Sequence, residues 1–239
     1  MQIQLTFDTQ ELRLPMAHRS AVQGLIYHAL EKDRDYQAFL HDRGYTDGLR
    51  QFKVFTFGEL QGPYTVEAGQ IRFRGPVGLQ IRSADPRSIQ LLLRHFDQGT
   101  ACQLMHEQLT VRDIRLDDRH ILAEQVDIRM LAPAVAYRTE GTQTIYYSPM
   151  DPEFYQMIMA NAARKWESVY DCPMPGDLWL EPLEPAHRYK KVVTRFKQTY
   201  ITGWKGAFRL IGCAPVLDLL YQTGLGSKNS QGFGMFEVL

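Results

Sequence analysis

The sequence predicts an α+β fold of two tandem ferredoxin-like domains, each an antiparallel sheet with two helices on one face. Three features point there. Short runs of alternating, β-branched or aromatic residues read as strands. Longer stretches carry apolar residues at helical spacing, two of them opened by an Asp-Pro pair, Asp85-Pro86 and Asp151-Pro152. In order they give strand–helix–strand–strand–helix–strand once in each half of the 239-residue chain, which places the domains at 1–122 and 123–239.

Residues 1–7 alternate, with Ile3, Leu5 and Phe7 set against Gln2, Gln4 and Thr6, as a half-buried strand does. Val22, Leu25, Ile26, Ala29 and Leu30 then mark an amphipathic helix, closed by the charged run Glu31 to Asp35. Tyr36, Phe39 and Leu40 form a short second stripe. Segments 52–60 and 64–73, on either side of Gly62-Pro63, are expected to pair as a hairpin. Asp85 caps a helix whose inner face is Ile89, Leu92, Leu93 and Phe96, and Gly99 ends it. Strands follow at 108–117 and 123–131.

The second half opens on a strand around 123–137. The helix after Asp151 carries Phe154, Met157, Ile158 and Ala162. Strands are expected near 177–183, 188–197 and 200–211. Pro215 starts a short helix that Gly224 stops, and Gly234 to Leu239 forms the last strand.

Composition narrows the function. Lys plus Arg and Asp plus Glu are both 27, so the net charge is zero and any polyanion-binding face must be local. No apolar run reaches the roughly 18 residues of a membrane span, and no signal peptide is expected. Cys102, Cys172 and Cys213 are odd in number and widely spaced. They fit a reducing cytoplasm better than a disulfide framework or a cysteine-based zinc site.

The densest local pattern is Gly224 to Gly234, with four glycines in eleven residues. Such backbone reaches positive φ and close approach, and Ser227, Lys228, Asn229 and Ser230 add donors between the glycine pairs, so with Gly226 they form a candidate phosphate-binding loop. It is neither a P-loop nor a dinucleotide fingerprint, because a strand follows it. The plain alternative is a turn before the last strand. A second pattern is residues 185–217, which hold Arg188, Lys190, Lys191, Arg195, Lys197, Lys205 and Arg209 but no Asp or Glu. Tyr189, Phe196, Tyr200 and Trp204 are interleaved with them, as in surfaces that stack unpaired bases and hold phosphates. Here the alternative is a solvated hairpin. The seven histidines show neither the His-x3-His spacing nor the HExxH pattern of a metal site, and no cofactor motif occurs.

Four segments together resemble the Cas6 family, the CRISPR repeat-processing endoribonucleases of the RAMP superfamily. They are Gln23-Gly24-Leu25-Ile26-Tyr27, Phe39-Leu40-His41, Lys53-Val54-Phe55-Thr56-Phe57 and the Gly-Ser-Lys-Asn-Ser-Gln-Gly-Phe-Gly run ending at Gly234. The resemblance spans the chain and implies two ferredoxin-like (RRM-like) domains. It also implies metal-independent cleavage of precursor CRISPR RNA within its repeats, with Tyr27, His41 and Lys53 as catalytic residues and no cofactor.

RNA carries its own nucleophile, the 2′-OH. Cutting it requires a base, an acid for the leaving 5′-oxygen and a cation for the phosphorane, and it leaves a 2′,3′-cyclic phosphate and a 5′-OH. An imidazole such as that of His41 titrates near neutrality and can serve as acid or base. The implied partner is CRISPR repeat RNA, with other subunits of a CRISPR effector complex as further candidates. Whether the chain is a monomer or a homodimer stays open, as does a second reading, a RAMP-type subunit that binds CRISPR RNA without cutting it.

Overall fold

The computed structural model describes residues 1–31, 33–40, 45–47 and 50–239. The first half runs β1 (Gln2–Asp8), β2 (Glu11–Pro15), α1 (Arg19–Leu30), α2 (Arg34–Ala38), β3 (Tyr45–Asp47), β4 (Arg50–Phe52), β5 (Phe55–Phe57), β6 (Tyr64–Glu67), β7 (Gln70–Arg74), β8 (Val77–Ser83), α3 (Pro86–His95), β9 (Ala101–Leu104) and β10 (Glu107–Asp117). The second runs β11 (Gln125–Met130), β12 (Ala136–Glu140), β13 (Gln143–Tyr147), α4 (Pro152–Tyr170), β14 (Trp179–Pro182), β15 (Lys190–Phe196), β16 (Thr199–Lys205), β17 (Ala207–Ile211), α5 (Ala214–Thr223) and β18 (Phe236–Val238).

Each half builds the expected ferredoxin-like sheet. The first is ordered β5-β8-β1-β10-β9 and the second β14-β17-β11-β18, every pair antiparallel. Counting the framework strands of each unit in sequence, both sheets read 2-3-1-4. The alternation of β1 puts Ile3, Leu5 and Phe7 in a core with Val22, Leu25 and Ile26 of α1 and Ile89 and Leu92 of α3. In the second half, Ile128, Phe208 and Leu210 meet Phe154 and Ile158 of α4 and Leu217 and Leu220 of α5. Asp85 caps α3 by accepting the Arg87 N–H at 2.9 Å. Asp151, by contrast, accepts from Ser148 and organises the turn before α4.

Three strand expectations are corrected. Segments 52–60 and 64–73 do not pair: β5 joins β8, and β6 turns back on β7 through Ala68 and Gly69. Both turn residues have positive φ, 48° and 76°, which suits a tight two-residue hairpin. The framework strand missing from the sequence reading is therefore β8, the central partner of β1. The stretch 200–211 is two strands in different sheets, broken at Gly206, where the Tyr189 ring occupies the space a side chain would need. The stretch 123–137 likewise breaks around Pro133, where Leu131 and Ala132 donate to the Met235 carbonyl instead of continuing a ladder.

The two domains meet along the segment from Gly224 to Gly234. Thr56 on β5 donates to the Phe233 carbonyl at 3.1 Å. Arg19 at the start of α1 donates to the Gly232 carbonyl, lies over the Phe233 ring and pairs with Glu59 at 2.7 Å. Nearby, Arg82 of β8 is buried over the Tyr221 ring and donates to Gln2 and to the Phe236 carbonyl, each at 2.5 Å. Burial lowers its pKa to about 10, so it stays charged at neutral pH. No helix among the described residues is long and apolar enough to cross a membrane.

The glycines of this segment serve its own packing. Gly226 bridges Val135 in parallel at φ 71°, and a Cβ there would lie 2.7 Å from the Val135 carbonyl oxygen. Gly226→Val should therefore destabilise the protein by about 3 kcal/mol, seen as a clear fall in thermal midpoint; an unchanged midpoint would refute this packing role.

Candidate nucleic-acid interface

A cleft of about 560 Å³ opens between the domains. One wall is the stretch Gln51 to Phe55, leading from β4 into β5. The other is built from Met157, Asn161, Arg164 and Lys165 of α4, Tyr137 to Thr139 of β12, and the loop Ser227 to Gln231. Among the described residues, five of the lining ones are cationic, namely Lys53, Arg138, Arg164, Lys165 and Lys228, and none is Asp or Glu. In a chain of zero net charge this is a local field suited to a polyanion.

The loop is held from behind and presents its polar side chains forward. Gly224, Gly226, Gly232 and Gly234 are buried, while Ser227 to Ser230 are half-exposed. Gly226, expected to approach phosphate, is buried, and the space a side chain would need there is taken by Val135. Ser227 N–H donates to the Val135 carbonyl at 2.9 Å. Asn229 donates to the Phe233 and Leu225 carbonyls at 3.1 and 3.3 Å. Lys165 donates to the Gly224 carbonyl at 2.6 Å and to Asn229 Oδ1 at 2.9 Å. Lys228 adopts a left-handed φ of 63° and sets its ammonium 4.7 Å from the Tyr137 ring centre. Arg138 beside it pairs with Glu140.

Helix α1 meets the same loop. Gln23 donates to the Ser230 carbonyl at 2.8 Å. One turn on, the Tyr27 hydroxyl bonds the Ser230 side chain, and its ring packs edge-on to Phe55 at 5.8 Å. Burial raises the Tyr27 pKa despite that hydrogen bond, so the phenol is neutral near pH 7. Lys53 lies at the cleft wall, its ammonium 3.4 Å from Gln51 Oε1. The structure thus brings Tyr27, through Ser230, and Lys53 to one cleft. His41 lies outside the described residues.

The basic stretch divides. Arg188, Lys190, Lys191, Arg195 and Lys197 are exposed on and beside the β15–β16 hairpin. Lys205 and Arg209, counted as unbalanced in sequence, find carboxylates from outside the stretch, Glu59 at 2.6 Å and Asp127 at 2.7 Å. Tyr189 and Phe196 belong to the interior, which leaves Tyr200 as the exposed ring. The hairpin does not line the cationic cleft. Its residues Val192 to Arg195 and Tyr200 line a separate, more apolar groove of about 420 Å³ with Met16, Tyr64 and Val66.

The α4 wall was missed in sequence, although it leaves a mark there. Ile158 and Ala162 set the inward stripe of α4, and Lys165 falls on that stripe, seven residues after Ile158. A lysine at an inward position is an anomaly that needs a reason.

Comparison with known proteins converges on one family. The family model described as CRISPR associated protein Cas6, C-terminal, matches residues 116–238. A CRISPR-associated endoribonuclease Cas6 of Pyrococcus furiosus is 23% identical over 238 residues, covering 95% of this chain and 84% of that protein. A solved Cas6-related structure from Pyrococcus furiosus superposes with a TM-score of 0.84 at 19% identity, over 100% of this chain and 98% of that one. A structure described as a RAMP protein binding different RNA substrates gives 0.81 at 19% identity, over 100% and 99%.

The electrostatics of the cleft lead to a direct expectation. Changing Arg138 and Lys228 together to Ala should weaken binding of single-stranded RNA and lower the slope of log affinity against log salt by about 1.4, roughly 0.7 per lost phosphate contact. An unchanged slope in a filter-binding salt series would place the RNA elsewhere.

Proposed function

This chain belongs to the Cas6 family of CRISPR-associated proteins, and on that premise we propose that it is an endoribonuclease that cuts precursor CRISPR RNA within its repeats. The observation that carries this reading is the cleft between the domains, with five cationic and no acidic lining residues among those described, and the polar face of the glycine-rich loop turned into it. A phosphodiester backbone is the natural occupant of such a site. The exposed Arg188, Lys190, Lys191, Arg195 and Lys197 would extend the contact to RNA outside the cleft.

The chemistry proceeds by attack of the 2′-OH on the adjacent phosphorus. The 5′-oxygen leaves, giving a 2′,3′-cyclic phosphate and a 5′-OH. His41, assigned through the family resemblance, moves the proton. Lys53 at the cleft wall supplies fixed positive charge for the phosphorane oxygens. Tyr27 is a poor base because burial keeps its phenol neutral, and it acts by holding Ser230 and orienting the sugar. Metal independence follows in this reading from the substrate, which brings its own nucleophile. One observation favours the second reading, an RNA-binding subunit without activity, namely that the Tyr27 hydroxyl is already engaged by Ser230.

Incubation with the repeat RNA of its source genome decides between them. Cleavage is expected in excess EDTA and should fail when the cleavage nucleotide is 2′-deoxy. Cutting of the deoxy substrate, or loss of activity on chelation, would contradict this mechanism, and binding without cutting would establish the second reading. His41→Ala should slow single-turnover cleavage about 100-fold or more with affinity within a few-fold, because proton transfer acts in the transition state; a wild-type rate would remove His41 from the site. Tyr27→Phe should cost about tenfold in rate and leave the pH–rate profile unmoved, whereas loss of an alkaline limb would make Tyr27 the base.

A further inference from the structure

Lys165 is the most unusual charge in the molecule. It is 2% exposed, lies on the inward stripe of α4 and still borders the cleft. Its two acceptors are neutral, the Gly224 carbonyl and Asn229 Oδ1. Buried ammonium groups are ordinarily compensated by a carboxylate, and none of the described cleft-lining residues supplies one. The described ionisable groups lining the cleft around it are Arg164 on its own helix, Tyr137 and Arg138 on β12, Lys53 before β5 and Lys228 on the loop, with Tyr45 on β3. The carboxylates of the packed elements include Glu167 on α4, Glu140 on β12, which pairs with Arg138, and Glu181 on β14, and none of these is an ion-pair partner of Lys165. The one carboxylate of α5, Asp218, is turned to His120 and the Ile121 N–H. Burial alone lowers the Lys165 pKa to about 7.

An amine placed in this way weakens the fold at neutral pH. With its proton favoured more in the unfolded chain than in the folded one, its contribution to stability improves as pH rises from about 7 towards the ordinary lysine range. What Lys165 lacks, among the described residues, is an anionic partner. Next to Lys165, across Asn229, are Lys228 and the Ser227 to Ser230 face, where phosphate would sit.

We propose that Lys165 is a positioning residue that couples RNA binding to proton uptake. A phosphate held at Lys228 and the Ser227 to Ser230 face keeps the proton on this buried amine, and the ammonium in turn fixes Asn229, the Gly224 carbonyl and hence the loop. The inference rests on the reading that the cleft takes RNA. The same loop carries Ser230, the hydrogen-bond partner of Tyr27, so the state of Lys165 reaches the cutting site through Asn229 and Ser230.

The sign follows from the free state. At pH 8 most molecules carry a neutral Lys165, so RNA must bring a proton with it; at pH 6 the proton is already present. Wild-type affinity should therefore fall about five- to tenfold from pH 6 to pH 8 through this residue.

The test is calorimetric titration of a 2′-fluoro repeat RNA, which binds but cannot be cut, in two buffers of different ionisation enthalpy at each pH. The wild type should take up at least about half a proton more at pH 8 than at pH 6. Lys165→Met should lose that difference, and Lys165→Arg, charged throughout, should lose it while keeping affinity at pH 8. Equal proton counts in wild type and Lys165→Arg at pH 8, with both binding, would overturn the role of Lys165 and leave the RNA-binding reading intact. Absence of any binding in the wild type would overturn that reading and this inference together. If Lys165→Met fails to fold, the Lys165→Arg comparison decides alone.

Discussion

The architecture depends on how eleven residues, Gly224 to Gly234, pass between two domains with their backbone satisfied. Buried peptide groups must find partners. Here they find them on both sides, in Thr56 and Arg19 from the first domain and in Val135, Pro133 and Lys165 from the second. Close passage of backbone against backbone admits no Cβ at Gly226, and it sets φ at 89°, 71°, 85° and 79° for the four glycines. The glycine content is thus a requirement of the joint between the domains. Recognition is left to the side chains between the glycines.

That joint creates the cleft. Because the loop is anchored by its glycine ends, Ser227 to Ser230 are carried to the surface between β5 and α4. Gln23 and Tyr27, one turn apart on α1, fasten Ser230 from the first domain, and Lys165 with Asn229 fastens the loop from the second. Each domain contributes cations, Lys53 from one and Arg138, Arg164, Lys165 and Lys228 from the other. A polyanion bound there would bridge the two domains, which links the strength of RNA binding to the same contacts that hold the fold together.

Much of this was legible in sequence, for local reasons. The alternation of β1, the Asp-Pro helix starts and the Gly224 stop depend on residues close in the chain, and each appears where expected. Partner choice was not legible. Val77, Leu79 and Ile81 alternate as strictly as β1 does, yet an aromatic-rich pair of segments around Gly62-Pro63 drew the hairpin away from them. The charge of residues 185–217 was read correctly as local composition, but Glu59 and Asp127, which neutralise Lys205 and Arg209, lie far away in sequence. Tyr189 and Phe196 looked like stacking rings and are core, since period alone does not say which face of a hairpin a fold covers. Of the family-implied trio, Tyr27 and Lys53 meet the loop and the cleft, whereas the α4 wall emerged only once the helix was placed against the loop.

The central claim is that the preformed loop and the cationic cleft beside it, rather than the basic hairpin, are the main seat of the RNA. Hydrogen exchange of the free and RNA-bound protein tests this most directly. The amides of Gly224, Leu225, Ser227, Gln231, Gly232 and Gly234 should already be protected in the free protein, because they are hydrogen-bonded. Added RNA should protect residues 51–55, 137–139 and 227–231 more than 190–205. Slowed exchange concentrated in 190–205, with the cleft residues unchanged, would contradict the account.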